Sequence, residues 1–337
     1  MRNPAFVAIK LVSKESSLPP ITLSKEFFSA QPPALHLCTV PVQNTRLAYF
    51  CYAFIAFVWG TTYLGIKVAI EAYPPFLMAG ARQVVAAFLM IPLLFIGARK
   101  PVKISPKMLW QNALIGFLMI TVSNGVVSWA ENTVPSGVAA LVCSAMPISV
   151  VLLSFFSSTK DRLKPITIVG MLLGFLGVAV IFRSDVAALG NRQYLVGILG
   201  LLVATFGWGG GSLLMKRCAG SGNATLDVML QIFFGGLIML LLSPTFENYN
   251  NITWWNPRAL LAWGYLVIFG SMLAMLAYQY ALKHLPVSFV TSYAYINPLV
   301  AVVLGAAFYS EPLNIWTFFS FTLIAGGVFL VNKGKAR

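Results

Sequence analysis

Residues 129–147, WAENTVPSGVAALVCSAMP, return in altered form as residues 280–298, YALKHLPVSFVTSYAYINP. Prolines hold the register: Pro135 and Pro147 are twelve residues apart, and so are Pro286 and Pro298. Upstream, Trp59-Gly60 stands before Lys67 at the same interval that separates Trp208-Gly209 from Lys216. The offset between copies is 149 for the Trp-Gly-Lys frame and 151 for the proline frame, so nearly everything after residue 46 is a duplication. Each copy holds five apolar spans by the reading below, and an odd number of crossings turns the second copy upside down relative to the first. Inverted repeats point to a transporter.

The composition agrees. Hydrophobic residues make up 58% of 337 and charged residues 9%, against roughly 45–50% and about 25% in soluble domains. A chain this apolar belongs in a membrane. The formal charge of +14 does not signal nucleic acid, because the basic residues stand at the ends of apolar spans, where they set orientation. Cys38, Cys51, Cys143 and Cys218 lack pairing or metal-ligand spacing, and His36 and His284 are the only histidines. They read as small buried hydrophobes, with no metal site and no cofactor expected.

Residues 1–46 contain two Pro pairs, five Ser and no long apolar run, and are expected to be a disordered cytoplasmic tail without a secretory signal. From Leu47 the pattern becomes long uncharged runs, each near the ~20 residues that cross a bilayer. The expectation is an all-α integral membrane protein with ten transmembrane helices: 47–69, 74–98, 108–130, 133–157 and 165–183 in a first repeat (47–183), then 194–215, 227–246, 259–282, 286–310 and 312–332 in a second (194–332). Residues 333–337 are a basic cytoplasmic end. The backbone has no partner in lipid, which leaves helices as the solution. Thirteen Lys and Arg, from Arg99 to Arg337, fall in the loops of one side; the other side has only Arg183, Arg192 and Arg258. The positive-inside rule then places both termini in the cytoplasm of a cell carrying the protein in its plasma membrane.

Several stretches resemble the drug/metabolite transporter superfamily, and within it the EamA-type permeases with ten helices. They are FVWGTTYLGIKVAI at 57–70, Arg82, the 129–147 stretch, and YINPLVAVVLGAAFYSEPLN at 295–314, with Gly170, Gly174, Gly177 and Gly326-Gly327 near the ends of the halves. The resemblance covers about residues 48–332. It implies two inverted five-helix repeats around a central path, and usually export of amino acids or other small metabolites. One departure is Lys160-Asp161, which stands where Ser310-Glu311 keeps the family's acidic position in the second half.

Ionisable groups inside apolar spans cost several kcal/mol unless paired, so each needs a reason. Lys67 and Lys216 lie near opposite membrane surfaces by this topology; snorkelling explains both, with a cavity-edge role as the alternative. Glu71 stands one turn after Lys67 and could pair with it. Arg82 lies deep in the second span and must face protein, either tying it to carbonyls of a neighbouring helix or holding an anionic group. Glu131 precedes the fourth span, where an acid can cap the helix N-terminus; the sharper reading is a proton-carrying carboxylate. Candidates for solute contact are Trp59, Asn124, Trp129, Glu131, Trp208, Tyr278, Tyr293 and Asn297, with Ser123, Tyr280 and Tyr295 beside them, because so many polar groups at one depth want an interior partner. Pro147 and Pro298, read as mid-helix, would free carbonyls and permit gating bends. The small-residue runs Gly209–Ser212 and Gly235-Gly236 mark close helix packing.

No GxxxxGK[ST] loop is present to power primary transport. A membrane-embedded enzyme would need a second acid, His or Cys beside Glu131. Scattered polar groups that differ between the halves argue against a channel's uniform rings. What remains is a gradient-driven secondary transporter whose partners are a small-molecule substrate and the lipid bilayer, with no nucleic acid; the composition also allows a homodimer. Exchange of phosphorylated or nucleotide-linked metabolites is the alternative, and it would want several basic groups in the cavity beyond Arg82, Lys67 and Lys216.

Overall fold

The computed structural model describes residues 45–95, 104–155, 164–181, 191–218, 223–309 and 315–334. Among these residues every regular element is helical. Six helices are long and apolar enough to cross a membrane: α1 (Thr45–Ile70), α2 (Pro75–Phe95), α3 (Pro106–Ala130), α7 (Arg192–Arg217), α8 (Ala224–Phe246) and α9 (Pro257–His284). They are the first three spans of each sequence repeat. Their starts carry helix-initiating chemistry. Ser105, Asn191, Asn223 and Asn256 each accept a hydrogen bond from a backbone N–H of the first turn, and prolines open α2, α3 and α9.

The remaining helices are shorter. The expected span 133–157 is two helices, α4 (Ser136–Cys143) and α5 (Met146–Phe155), and 286–310 is likewise α10 (Val287–Val290) and α11 (Tyr293–Tyr309). Single helices, α6 (Pro165–Ile181) and α12 (Ile315–Lys333), close the two halves. Pro147 therefore opens α5 just beyond a break at Ser144-Ala145 and is not mid-helix, whereas Pro298 does lie inside α11.

The duplication persists in backbone detail. Both α3 and α9 loosen into π-helix at their centres, over Phe117–Gly125 and Leu266–Leu273, and the two starts are 149 residues apart. Such stretches spoil the i→i−4 ladder and concentrate at functional sites.

Packing joins the halves to each other. Helix α1 lies against α9 and α11, while its counterpart α7 lies against α3 and α5; α2 packs on α8, and α6 on α12. Glycine permits the two like-with-like contacts. A Cβ on Gly80 would fall 2.9 Å from the Gly236 carbonyl, and one on Gly170 would fall 2.7 Å from the Gly327 carbonyl. Gly209 likewise faces Ser149, and Gly235 faces Ile120, so the small-residue runs do mark close packing. Residues 1–44, Lys160-Asp161 and Ser310-Glu311, together with loop residues Arg99, Lys100, Lys103, Arg162 and Arg183, lie outside the described residues.

Candidate functional site

Four aromatic side chains, one from the first repeat and three from the second, meet where the halves cross. Trp59 of α1 meets Trp208 of α7 edge-on at 5.1 Å, Tyr278 of α9 at 5.2 Å and Tyr293 of α11 at 4.8 Å. Tyr278 also lies 5.6 Å from Trp208 and 5.9 Å from Tyr293. All four are buried, and their polar tips are engaged. Trp59 Nε1 donates to the Gly270 carbonyl at 2.9 Å, inside the π-helical stretch of α9. The Tyr278 hydroxyl accepts from Trp208 Nε1 at 3.2 Å and pairs with Ser212 Oγ at 2.7 Å. Rings held this way form a rigid wall.

One face of α1 carries Trp59, Thr62, Tyr63 and Ile66 at helical spacing into a cavity of about 60 Å³. Ser123, Asn124 and Val127 of α3 close its second side. Cys143 and Met146 flank the α4–α5 break, and Trp208, Tyr293 and Asn297 complete the lining. The Asn297 amide, its nitrogen turned toward α1, donates to the Ala56 carbonyl at 3.0 Å and to the Tyr293 carbonyl at 3.3 Å. A cavity of this size holds a few waters and is too small for a metabolite.

Arg82 sits behind this wall. Its Nη2 donates to Asn124 Oδ1, so the guanidinium reaches a side chain of α3 where a bond to carbonyls was expected. Its Nε and Nη1 are buried without a hydrogen-bond partner. Glu131 is fully buried, and neither of its carboxylate oxygens has a partner. The capping role fails: the N-cap position of α4 is Pro135, and no side chain makes a cap bond there. The charges acting on Glu131 are those of Lys67 and Arg82.

Lys67 and Lys216 both reach backbone carbonyls. Lys67 Nζ donates to the Glu131 backbone carbonyl at 2.6 Å, and Lys216 Nζ donates to the carbonyls of Leu282 and Leu285, the latter at 3.1 Å. Each lysine thus caps the C-terminal carbonyls of the third helix of its own repeat, where the helix dipole favours a cation. Glu71 is exposed and lines a separate recess of about 360 Å³ with Trp129, Asn132 and Glu247. That places Trp129 away from the central cavity. Tyr280 stacks on His284 at 4.1 Å, and the Tyr295 hydroxyl donates to the Met171 carbonyl at 3.0 Å on the α6 side; neither lines the cavity.

Sequence reasoning missed Tyr63, which lies on the cavity face of α1, and Cys143 and Met146, which look like ordinary apolar-run residues until the α4–α5 break is seen between them. It also missed a buried network between α3 and α8. Asn112 Nδ2 donates to Asp227 Oδ1 at 3.1 Å, and Gln231 Nε2 donates to Asn112 Oδ1 at 2.9 Å. The available signal was Asp227 and Gln231 one turn apart at the head of an apolar run.

A helical membrane bundle of two like repeats that encloses a polar and aromatic cavity is the body of a transporter rather than an enzyme. The chain belongs to the EamA-like transporter family, whose pattern matches residues 46–183 and again 195–333, as the resemblance to the drug/metabolite transporter superfamily implies. It is 32% identical over 279 residues to the uncharacterized inner membrane transporter YedA of Escherichia coli K12, covering 82% of this chain and 88% of that protein. It is also 27% identical over 300 residues to the uncharacterized transporter YvbV of Bacillus subtilis, covering 87% and 94%. With protein PecM of Dickeya dadantii it shares 29% over 259 residues, 76% of this chain and 82% of that one. A solved crystal structure matches the fold with a TM-score of 0.70 at 20% identity, over 85% of this chain and 96% of that one.

Proposed function

We propose that the protein is a secondary transporter that moves a small neutral or zwitterionic metabolite, an amino acid or a close relative, outward across the plasma membrane by alternating access. The observation that carries this reading is the cavity itself. Its walls come from α1 and α3 of one repeat and α7 and α11 of the other, so any rocking of the repeats against each other opens it. In this reading the shorter helices complete ten spans, the second repeat is inverted, and both termini are cytoplasmic, in keeping with the Lys and Arg bias. The cationic residues favour a solute of low net charge. Lys67 and Lys216 are committed to carbonyls, and among the cationic candidates from the sequence only Arg82 stands close behind the cavity wall.

The test is a thermal-shift screen of purified protein against amino acids, amines, nucleosides and sugar phosphates, since a ligand at a hundred times its Kd stabilises by about 2.7 kcal/mol. A shift with amino acids that disappears in Asn124→Ala and Asn297→Ala is the expected result. A shift only with phosphorylated compounds, lost in Arg82→Gln, overturns it.

A further inference from the structure

Both repeats cap the C-terminal end of their third helix with a lysine, and only one of them buries a carboxylate there. Glu131 and Leu282 occupy equivalent positions, 151 residues apart. Each offers its backbone carbonyl to the lysine of its own repeat. Leu282 is 1% exposed and packs in the main apolar cluster. Glu131 is 0% exposed with both side-chain oxygens unpartnered. The second repeat shows that the cap works with a leucine, so the scaffold does not require the acid. Nor does a helix dipole: Glu131 stands at the C-terminal end of α3, where negative charge is unfavourable, and α4 makes no use of its side chain. A buried, unsatisfied carboxylate costs several kcal/mol and persists where function requires it.

Its surroundings form a two-way balance. Burial favours the neutral acid, and the charges of Lys67 and Arg82 favour the carboxylate. From α1, Tyr63 faces it beside Lys67; Cys143 does so from α4, and Tyr194 of α7 packs in the same cluster as the neighbouring Ala130 and Val134. Arg82 links the balance to the cavity, because its Nη2 is held by Asn124, a cavity-lining side chain, while Nε and Nη1 remain unpartnered. Any movement at Asn124 shifts the charge that Glu131 feels.

We infer that Glu131 is a proton-binding site that ties the opening of the cavity to the uptake and release of one proton per cycle. With the cavity open to one side, hydronium gives its proton to the carboxylate and leaves water. When the cavity opens to the other side, the acid returns the proton to water. No other bond changes. The inference rests on the transporter reading and not on the identity of the solute.

Two measurements on the full chain in proteoliposomes test it. Infrared difference spectra recorded across a pH titration look for the C=O stretch of a protonated carboxylic acid in the wild type, in the near-isosteric Glu131→Gln and in Glu131→Leu, which copies the second repeat. A titrating band that is absent from both variants, with the melting temperature of Glu131→Leu equal to or above that of the wild type, is expected. Spectra that coincide in all three overturn the proposal. Vesicles loaded with a pH indicator dye then report proton movement on addition of an equimolar mixture of neutral L-amino acids. Proton movement should vanish in Glu131→Gln while counterflow, which moves no net proton, continues. Loss of counterflow along with proton movement in a variant that still folds makes Glu131 a solute contact and overturns the coupling role. Should no amino acid show counterflow even in the wild type, the solute reading fails, and the infrared titration decides on the proton site alone.

Discussion

Tyr278 shows at single-residue scale how the cavity is held in shape. Its hydroxyl accepts from Trp208 Nε1 and donates to Ser212 Oγ, whose own proton goes to the Trp208 carbonyl, so Tyr278→Phe leaves the buried indole N–H without an acceptor and the Ser212 oxygen without a donor. That should cost about 1–3 kcal/mol, read as an earlier unfolding midpoint, and should weaken solute-induced stabilisation by loosening the Trp208 ring. Lys67→Met and Lys216→Met form a matched pair of a different kind. Each strips a charged cap from the carbonyl end of a helix and should lower stability by about 1–3 kcal/mol. The two should differ in a second respect: only Lys67→Met removes a cation from beside Glu131, so only it should alter the pH dependence of transport. Trp59, Trp208, Tyr278, Tyr293, Asn124 and Asn297 were legible in the sequence because they are polar or aromatic groups at one depth in apolar runs. The work of the two lysines was not, since each partner carbonyl lies more than sixty residues away in the chain, and a lone lysine near a span end reads equally as a snorkel.

At the scale of the helix, the ends of the long spans followed from prolines and capping side chains, which act locally and can be read locally. The breaks inside the fourth span of each repeat could not be. They fall at Ser144-Ala145, shortly before Pro147, and at Thr291-Ser292, and none of these four residues is a glycine or a proline. What satisfies the backbone there is hydroxyl chemistry: Ser144 Oγ donates to the Leu141 carbonyl at 2.6 Å and Ser292 Oγ to the Phe289 carbonyl at 2.7 Å. Helix α2 offers another non-local solution. Pro74 cannot cap it through a side chain, so Glu247 reaches over from the α8–α9 connection and accepts from the backbone N–H groups of Phe76 at 2.6 Å and Leu77 at 2.9 Å. Glu247→Ala should therefore destabilise the start of α2 by about 0.5–2 kcal/mol, visible as faster amide exchange at Phe76 and Leu77. At the α6–α12 contact, Gly327→Leu would press a side chain into the Gly170 carbonyl. The expected result is separation of the two helices, detected as loss of a cross-link between cysteines introduced along that face.

Taken whole, the molecule is two repeats that complete one another across their boundary. The duplicated Trp-Gly-Lys and proline frames disclose the existence of the halves. They say nothing of α1 seating on α9 and α11 while α7 seats on α3 and α5, because repeat spacing records ancestry and not docking. Neither half, expressed alone, should yield a protein with a cooperative unfolding transition. The two halves, divided between Ile181 and Arg192 and produced together, should reassemble into a transporter that binds the same solutes, as judged by co-purification and thermal shift.

The seating of α1 has a consequence for how the protein is made. Synthesis runs from the amino end, so α1 is made well before the elements that receive Trp59, Thr62 and Tyr52. Until α9 arrives, the indole of Trp59 lacks the Gly270 carbonyl, and until Ser292 arrives, the Tyr52 hydroxyl lacks the partner it meets at 2.9 Å. The nascent chain must wait in lipid with these groups unsatisfied, so assembly is a late event that closes over most of the chain length at once. A chain that stops short of α11 lacks Tyr293 and Asn297, and with them one wall of the central cavity.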